Sequence, residues 1–158
     1  MKQKFIWIVC FSCFLIANSI FSIDRENGIV KPNSVYLSIV HGNLDFTNER
    51  NREDLEKECN RIISSKDRSL FYQCKSILAL CYHMNGDKQT ADQLMDEALK
   101  EEEGREYLFG ILASGDFVKI DESTKAFARE KAFASGDKEL ISNLKALDKY
   151  ITDTPTEK

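Results

Sequence analysis

Residues 79–99 read ALCYHMNGDKQTADQLMDEAL. The stretch is apolar through Met84, breaks at Asn85-Gly86-Asp87, and turns apolar again at Ala91, Leu94, Met95, Ala98 and Leu99. That second set has the i, i+3, i+4, i+7, i+8 spacing of one helix face. Glycine takes the left-handed conformation that closes a helix. Aspartate accepts hydrogen bonds from the free amides that open the next one. The stretch therefore predicts two antiparallel helices joined by one tight turn.

Gly-Asp recurs at Gly115 and Gly136, each time inside the tetrapeptide ASGD. The steps of 29 and 21 residues are unequal, so the repeat is irregular. Upstream, Leu55, Cys59, Ile62 and Ile63 put a stripe on a helix over 54–63, and residues 70–84 are apolar on nearly all sides, as in a helix packed on several faces. Downstream, helices are expected at 107–112, at 123–134 with Ser123 as its cap, and through Leu140, Leu144, Leu147 and Ile151. Ser34 is expected to cap a short helix at 35–40, although the β-branched residues there also suit a strand. Residues 41–50 read as a loop and 152–158 as a polar tail. The fold class is all-α, an array of antiparallel helix hairpins over 34–151.

Lys2 and Lys4 precede a 13-residue apolar run, Phe5–Ala17, followed by the small residues of Ala17-Asn18-Ser19 and by Ser22. This is the layout of a signal peptide over 1–22, with 23–33 as a linker. An uncleaved anchor and lipidation at Cys13 are the alternatives. All three place the remainder in the periplasm, the cell envelope or the extracellular space. The membrane is touched only through the N-terminal segment, if it is retained or lipidated. Residues 1–22 hold two lysines and no acid, so their removal takes the net charge from −4 to −6. Such a chain is a poor ligand for nucleic acid and for anionic lipid.

Three of the five cysteines lie beyond residue 22: Cys59, Cys74 and Cys81. Cys74 and Cys81 are about 10 Å apart along one helix, too far to bridge. Cys59 and Cys74 flank the Ser64–Asp67 turn almost equally, so a helix hairpin sets them opposite each other as a disulfide pair. The alternative is three small buried apolar side chains.

Residues 72–105 resemble one tetratricopeptide repeat, a 34-residue helix hairpin. Leu78 and Ala79, Tyr82, Gly86, Ala91, Met95, and Ala98 with Leu99 stand at its defining positions. Lys75 stands where the family often has tryptophan, and Glu103 replaces the usual closing proline. The resemblance implies a right-handed array of hairpins, a non-catalytic scaffold without cofactor, and a protein or peptide partner. It places Gln73, Ser76, Leu80 and His83 on the partner-binding groove.

Catalytic and metal chemistry find little footing. Cys81 and His83 point about 200° apart on one helix and cannot share a metal. Asn43, Asp45, Thr47, Glu49, Asn51 and Asp54 echo a calcium loop, but Asn48 replaces its turn glycine and Asp54 is too short for its bidentate glutamate. Glu101-Glu102-Glu103 and Asp121-Glu122 read as solvated helix ends.

Overall fold

The structure is a computed structural model that describes residues 34–65 and 68–153. The signal, anchor and lipidation readings, the linker and the end of the polar tail lie outside the described residues. The chain divides into a unit ending at His41 and a unit beginning at Gly42. In the first, helix α1 spans Ser34–His41, so the stretch that also suited a strand is helical and Ser34 is its first residue.

The second unit begins with an extended arm. Leu44 and Phe46 are buried, and the Arg52 guanidinium donates to the Phe46 carbonyl at 2.7 Å. Helix α2, Glu49–Ser64, starts five residues earlier than the stripe implied. Asn48 is the reason: its side chain accepts from the Asn51 amide at 3.2 Å and caps the helix. Asp45 is likewise occupied, accepting from the Thr47 hydroxyl at 2.7 Å and the Thr47 amide at 3.1 Å, with Lys119 beyond at 3.5 Å. Leu55, Cys59 and Ile62 form the buried stripe of α2. Sinking each aliphatic side chain stabilises the fold by about 1.5–3 kcal/mol.

Helix α3, Phe71–Met84, is the central element. It packs against α2, against α4 (Lys88–Ala98), against α5 (Glu102–Ala113) and against α6 (Glu122–Ala134). Every residue from Ser76 to Cys81 is buried, as the all-round apolar sequence requires. The chain then reverses. Gly86 takes φ +87°, its amide bonds the His83 carbonyl at 3.0 Å, and the Asp87 amide reaches back to Tyr82 at 2.9 Å. These two bonds satisfy carbonyls that the helix end would otherwise leave open. Asp87 next accepts from the Thr90 amide at 3.1 Å and opens α4.

The α4–α5 turn has a different device. Gly104 lies inside α5, and a Cβ there would stand 2.0 Å from the Ala98 carbonyl oxygen. Only glycine lets the two helices meet this closely. After α5 the chain makes a short 3-10 turn, Gly115–Phe117, and runs extended. There it meets the arm: the Phe46 amide donates to the Lys119 carbonyl at 2.8 Å, and the Lys119 amide to the Leu44 carbonyl at 2.9 Å. This isolated parallel bridge, Asp45 with Lys119, is the only β pairing among the described residues.

Helix α6 is capped by Asp121, which accepts from the Thr124 amide at 2.7 Å; Ser123, the expected cap, is exposed in the first turn. Asp137 caps α7, Lys138–Asp153, by accepting from the Leu140 amide at 2.8 Å. The helix runs two residues into the stretch expected as tail. Leu140 and Leu144 are buried, Leu147 is half-buried and Ile151 is exposed, so the leucine stripe leaves the core partway along α7. In this unit α3 packs on α5, α5 on both α6 and α7, and α6 on α7. The fold is all-α.

Candidate functional site

Gln73, Ser76, Leu80 and His83 share one face of α3 by their spacing. The structure gives them unlike surroundings. Ser76 and Leu80 have no exposed surface, and the Ser76 hydroxyl donates to the Tyr72 carbonyl at 3.2 Å. Gln73 is half-buried. The His83 ring stacks on Phe127 of α6, centroids 4.3 Å apart and planes 13° from parallel, with Nδ1 3.1 Å from the Thr124 hydroxyl. Helix α6 packs on α3 and engages His83. Ser76 and Leu80 therefore present no surface to a second molecule, and only Gln73 and part of His83 reach solvent.

The residues that carry the repeat resemblance are mostly core. Leu78, Ala79, Ala91, Met95, Ala98 and Leu99 are buried, Tyr82 is half-buried, and Gly86 makes the turn. Lys75, where the family often has tryptophan, pairs with Glu97 of α4 and lies over the Phe71 ring.

Cys59, Cys74 and Cys81 are free, buried thiols. The structure shows no disulfide between Cys59 and Cys74. Interaction with the Cys74 thiol, and burial after it, push the Cys59 thiol far above its ordinary range. Burial pushes Cys81 up to about 12. Neither carries the thiolate that nucleophilic chemistry uses at neutral pH.

A polar cleft lies where the C-terminal ends of α4 and α6 face the start of α5, lined in part by Asp96, Arg105, Lys131 and Asp137. Its cations are engaged. Arg105 meets Asp137 at 3.3 Å and donates to the Leu99 and Lys100 carbonyls, at 3.0 and 2.9 Å. Lys131 meets Asp92 at 2.8 Å and Asp96 at 2.9 Å. Burial alone would lower the Lys131 pKa, but the hydrogen bonds to the two aspartates outweigh it and raise it. A lysine held protonated in this way is a strut between α4 and α6, unsuited to act as a base. Among the described residues no group of three or more His, Cys, Asp or Glu side chains is placed to hold a metal ion. No helix among them is long and apolar enough to cross a membrane.

The surface also holds large apolar side chains, of which the sequence reading named only Ile151. Phe117 is 78% exposed, Tyr150 70% and Ile151 61%. The signal for Ile151 was its place at the end of the leucine stripe; nothing local marks Phe117.

No family model, no curated protein and no solved structure matches the chain.

Proposed function

We propose that the chain is an exported, non-catalytic helical-repeat protein that binds another protein or a peptide in the cell envelope or outside the cell. The observation that carries the reading is the order of packing, α3 on α5 and α5 on α7, in which every second helix meets the next. Stacked hairpins produce this succession, and such arrays serve as scaffolds for partner chains. The acidic balance favours a protein partner over nucleic acid. Of the four groove positions, Gln73 and His83 are those with solvent access.

A second reading, self-association, is favoured by Tyr150 and Ile151, which leave the apolar side of α7 uncovered at its end. Photocrosslinking in the producing cell separates the two. A benzophenone side chain placed at Gln73 is expected to give one discrete adduct with a different protein. The same group at Tyr150 gives an adduct with a second copy if self-association is right. Export with no adduct from either position defeats both. N-terminal sequencing of the mature chain tests export: a start near Ile23 supports it, and an intact Met1 in a cytoplasmic fraction refutes it.

A further inference from the structure

Asn85 closes α3 and is followed by Gly86, the one Asn-Gly pair among the described residues. An amide side chain before glycine is open to attack by its own backbone, because the next nitrogen has no Cβ beside it to block the approach. Both residues are exposed, and a Cβ at Gly86 would meet nothing within 4 Å. Yet the Asn85 side chain is held at both ends by α2. Its Oδ1 accepts from Arg52 Nε at 3.2 Å, and its Nδ2 donates to Glu56 Oε1 at 2.8 Å. Both partners are charged, which strengthens such bonds. The Gly86 amide is occupied as well, donating to the His83 carbonyl at 3.0 Å. A reactive dipeptide thus lies in the open with each reacting group engaged elsewhere.

We propose that Asn85 is a deamidation site guarded by α2: while α2 is docked the side chain is tethered away from the Gly86 nitrogen, and when α2 lifts off it converts to aspartate or isoaspartate. The step balances without any redox partner. The Gly86 nitrogen attacks the Asn85 side-chain carbon, and a new carbon–nitrogen bond closes a five-membered succinimide. The bond from that carbon to Nδ2 breaks, and the leaving nitrogen takes up the Gly86 proton and departs as ammonia. Water then opens the ring at either carbonyl. The product works against the return of α2. Glu56 loses an N–H donor and faces a carboxylate, which can only accept, so two like charges meet where a hydrogen bond stood. Isoaspartate also adds a carbon to the main chain, inside the turn where the Gly86 and Asp87 amides reach back to His83 and Tyr82. The modification therefore records a detachment of α2 in one direction. This inference goes beyond the binding reading and does not depend on it.

The test incubates the full chain in mildly alkaline buffer, with and without guanidinium chloride, and follows Asn85 by peptide mass spectrometry. Conversion in the folded chain is expected to be about tenfold slower than in the denatured one, with isoaspartate among the products. Glu56→Ala should speed conversion in the folded chain about threefold and leave the denatured rate unchanged. Glu53→Ala, the loss of an exposed glutamate on the same helix, should change neither. The Asn85→Asp chain, which carries one of the two products, should melt at a lower temperature than the unmodified protein, and the drop should shrink in the Glu56→Ala background. Equal or faster conversion in the folded state would mean that Arg52 polarises the amide for attack, and it would overturn the guard. So would a Glu56→Ala chain that converts no faster when folded, aspartate formed without isoaspartate, or an Asn85→Asp chain that melts at or above the unmodified one.

Discussion

Gly86-Asp87 and Gly115-Asp116 are the same dipeptide after the same kind of helix, yet the chain does different things after each. Both glycines take positive φ, +87° and +58°. After Asp87 come Lys88, Gln89, Thr90 and Ala91, and α4 starts at once. After Asp116 come Phe117, Val118, Lys119 and Ile120. Aromatic and β-branched residues in alternation favour extended chain over helix. The chain accordingly makes one 3-10 turn, buries Val118, pairs with the arm at Leu44 and Phe46, and waits for Asp121 to open α6. Gly136-Asp137, followed by Lys138, Glu139 and Leu140, behaves like the first. A Gly-Asp signal thus ends a helix reliably, but the residues after it decide whether another begins.

The contrast can be broken from either side. The largest effect is expected at the extended arm. Phe46→Ala removes a fully buried ring beside the 119 pairing and should cost about 3–5 kcal/mol in a denaturant titration. A loss below 1 kcal/mol would mean the arm is dispensable and the two turns differ only locally. Next comes the hairpin. Gly86→Val with Asp87→Ala should cost about 2 kcal/mol, roughly half from the positive φ and half from the lost cap. The same pair of changes at 136–137 should cost a similar amount, because Asp137 also caps.

A smaller effect sharpens the assignment of the delayed helix start. Asp121→Ala should cost about 1 kcal/mol, while Ser123→Ala stays within about 0.5 kcal/mol. Reversal of that order in thermal melts would return the cap to Ser123. The smallest effect is in acid. Hydrogen bonds from Thr47 hold the Asp45 carboxyl below its ordinary value, and those from Thr90 do the same for Asp87. A depressed carboxylate contributes stability that is complete above the unfolded pKa, about 3.9, and is lost as pH falls through the lower folded value. The pH–stability curve should therefore fall below about pH 4, and Asp87→Ala should make that fall shallower.

Much of this was legible in the sequence because it is local. Periodicity gave the helical class, and the all-round apolar run marked α3 as central. The failures are of another kind. Ser76 and Leu80 looked available because the resemblance assigns that face of the first helix to a groove; both are buried, and His83 on that face is engaged by α6, some forty residues later, a contact that no local pattern announces. Asp121 and Ser123 are both good caps, and only the extended run before them selects the earlier one. Leu44 and Phe46 sat in a stretch whose polar residues suggested a loop, and their burial depends on a segment more than seventy positions away. Gly104 carries no turn signal of its own, since its role is to make room for the Ala98 carbonyl.

That distant pairing has a consequence for the order in which the chain orders and opens. The α3–α4 contacts join residues close in sequence, whereas the Asp45–Lys119 bridge closes a loop with a separation of 74 residues. Loop closure of that length is entropically slow, and each doubling of the loop adds about 0.6 kcal/mol. The bridge is therefore expected to form after the hairpin and to open before it. The Phe46 and Lys119 amides are each secured by the other segment, one donating to the Lys119 carbonyl and the other to Leu44. A single opening frees both. In native-state hydrogen exchange these two amides, far apart along the chain, should exchange at one common free energy, below that of the amides inside α3.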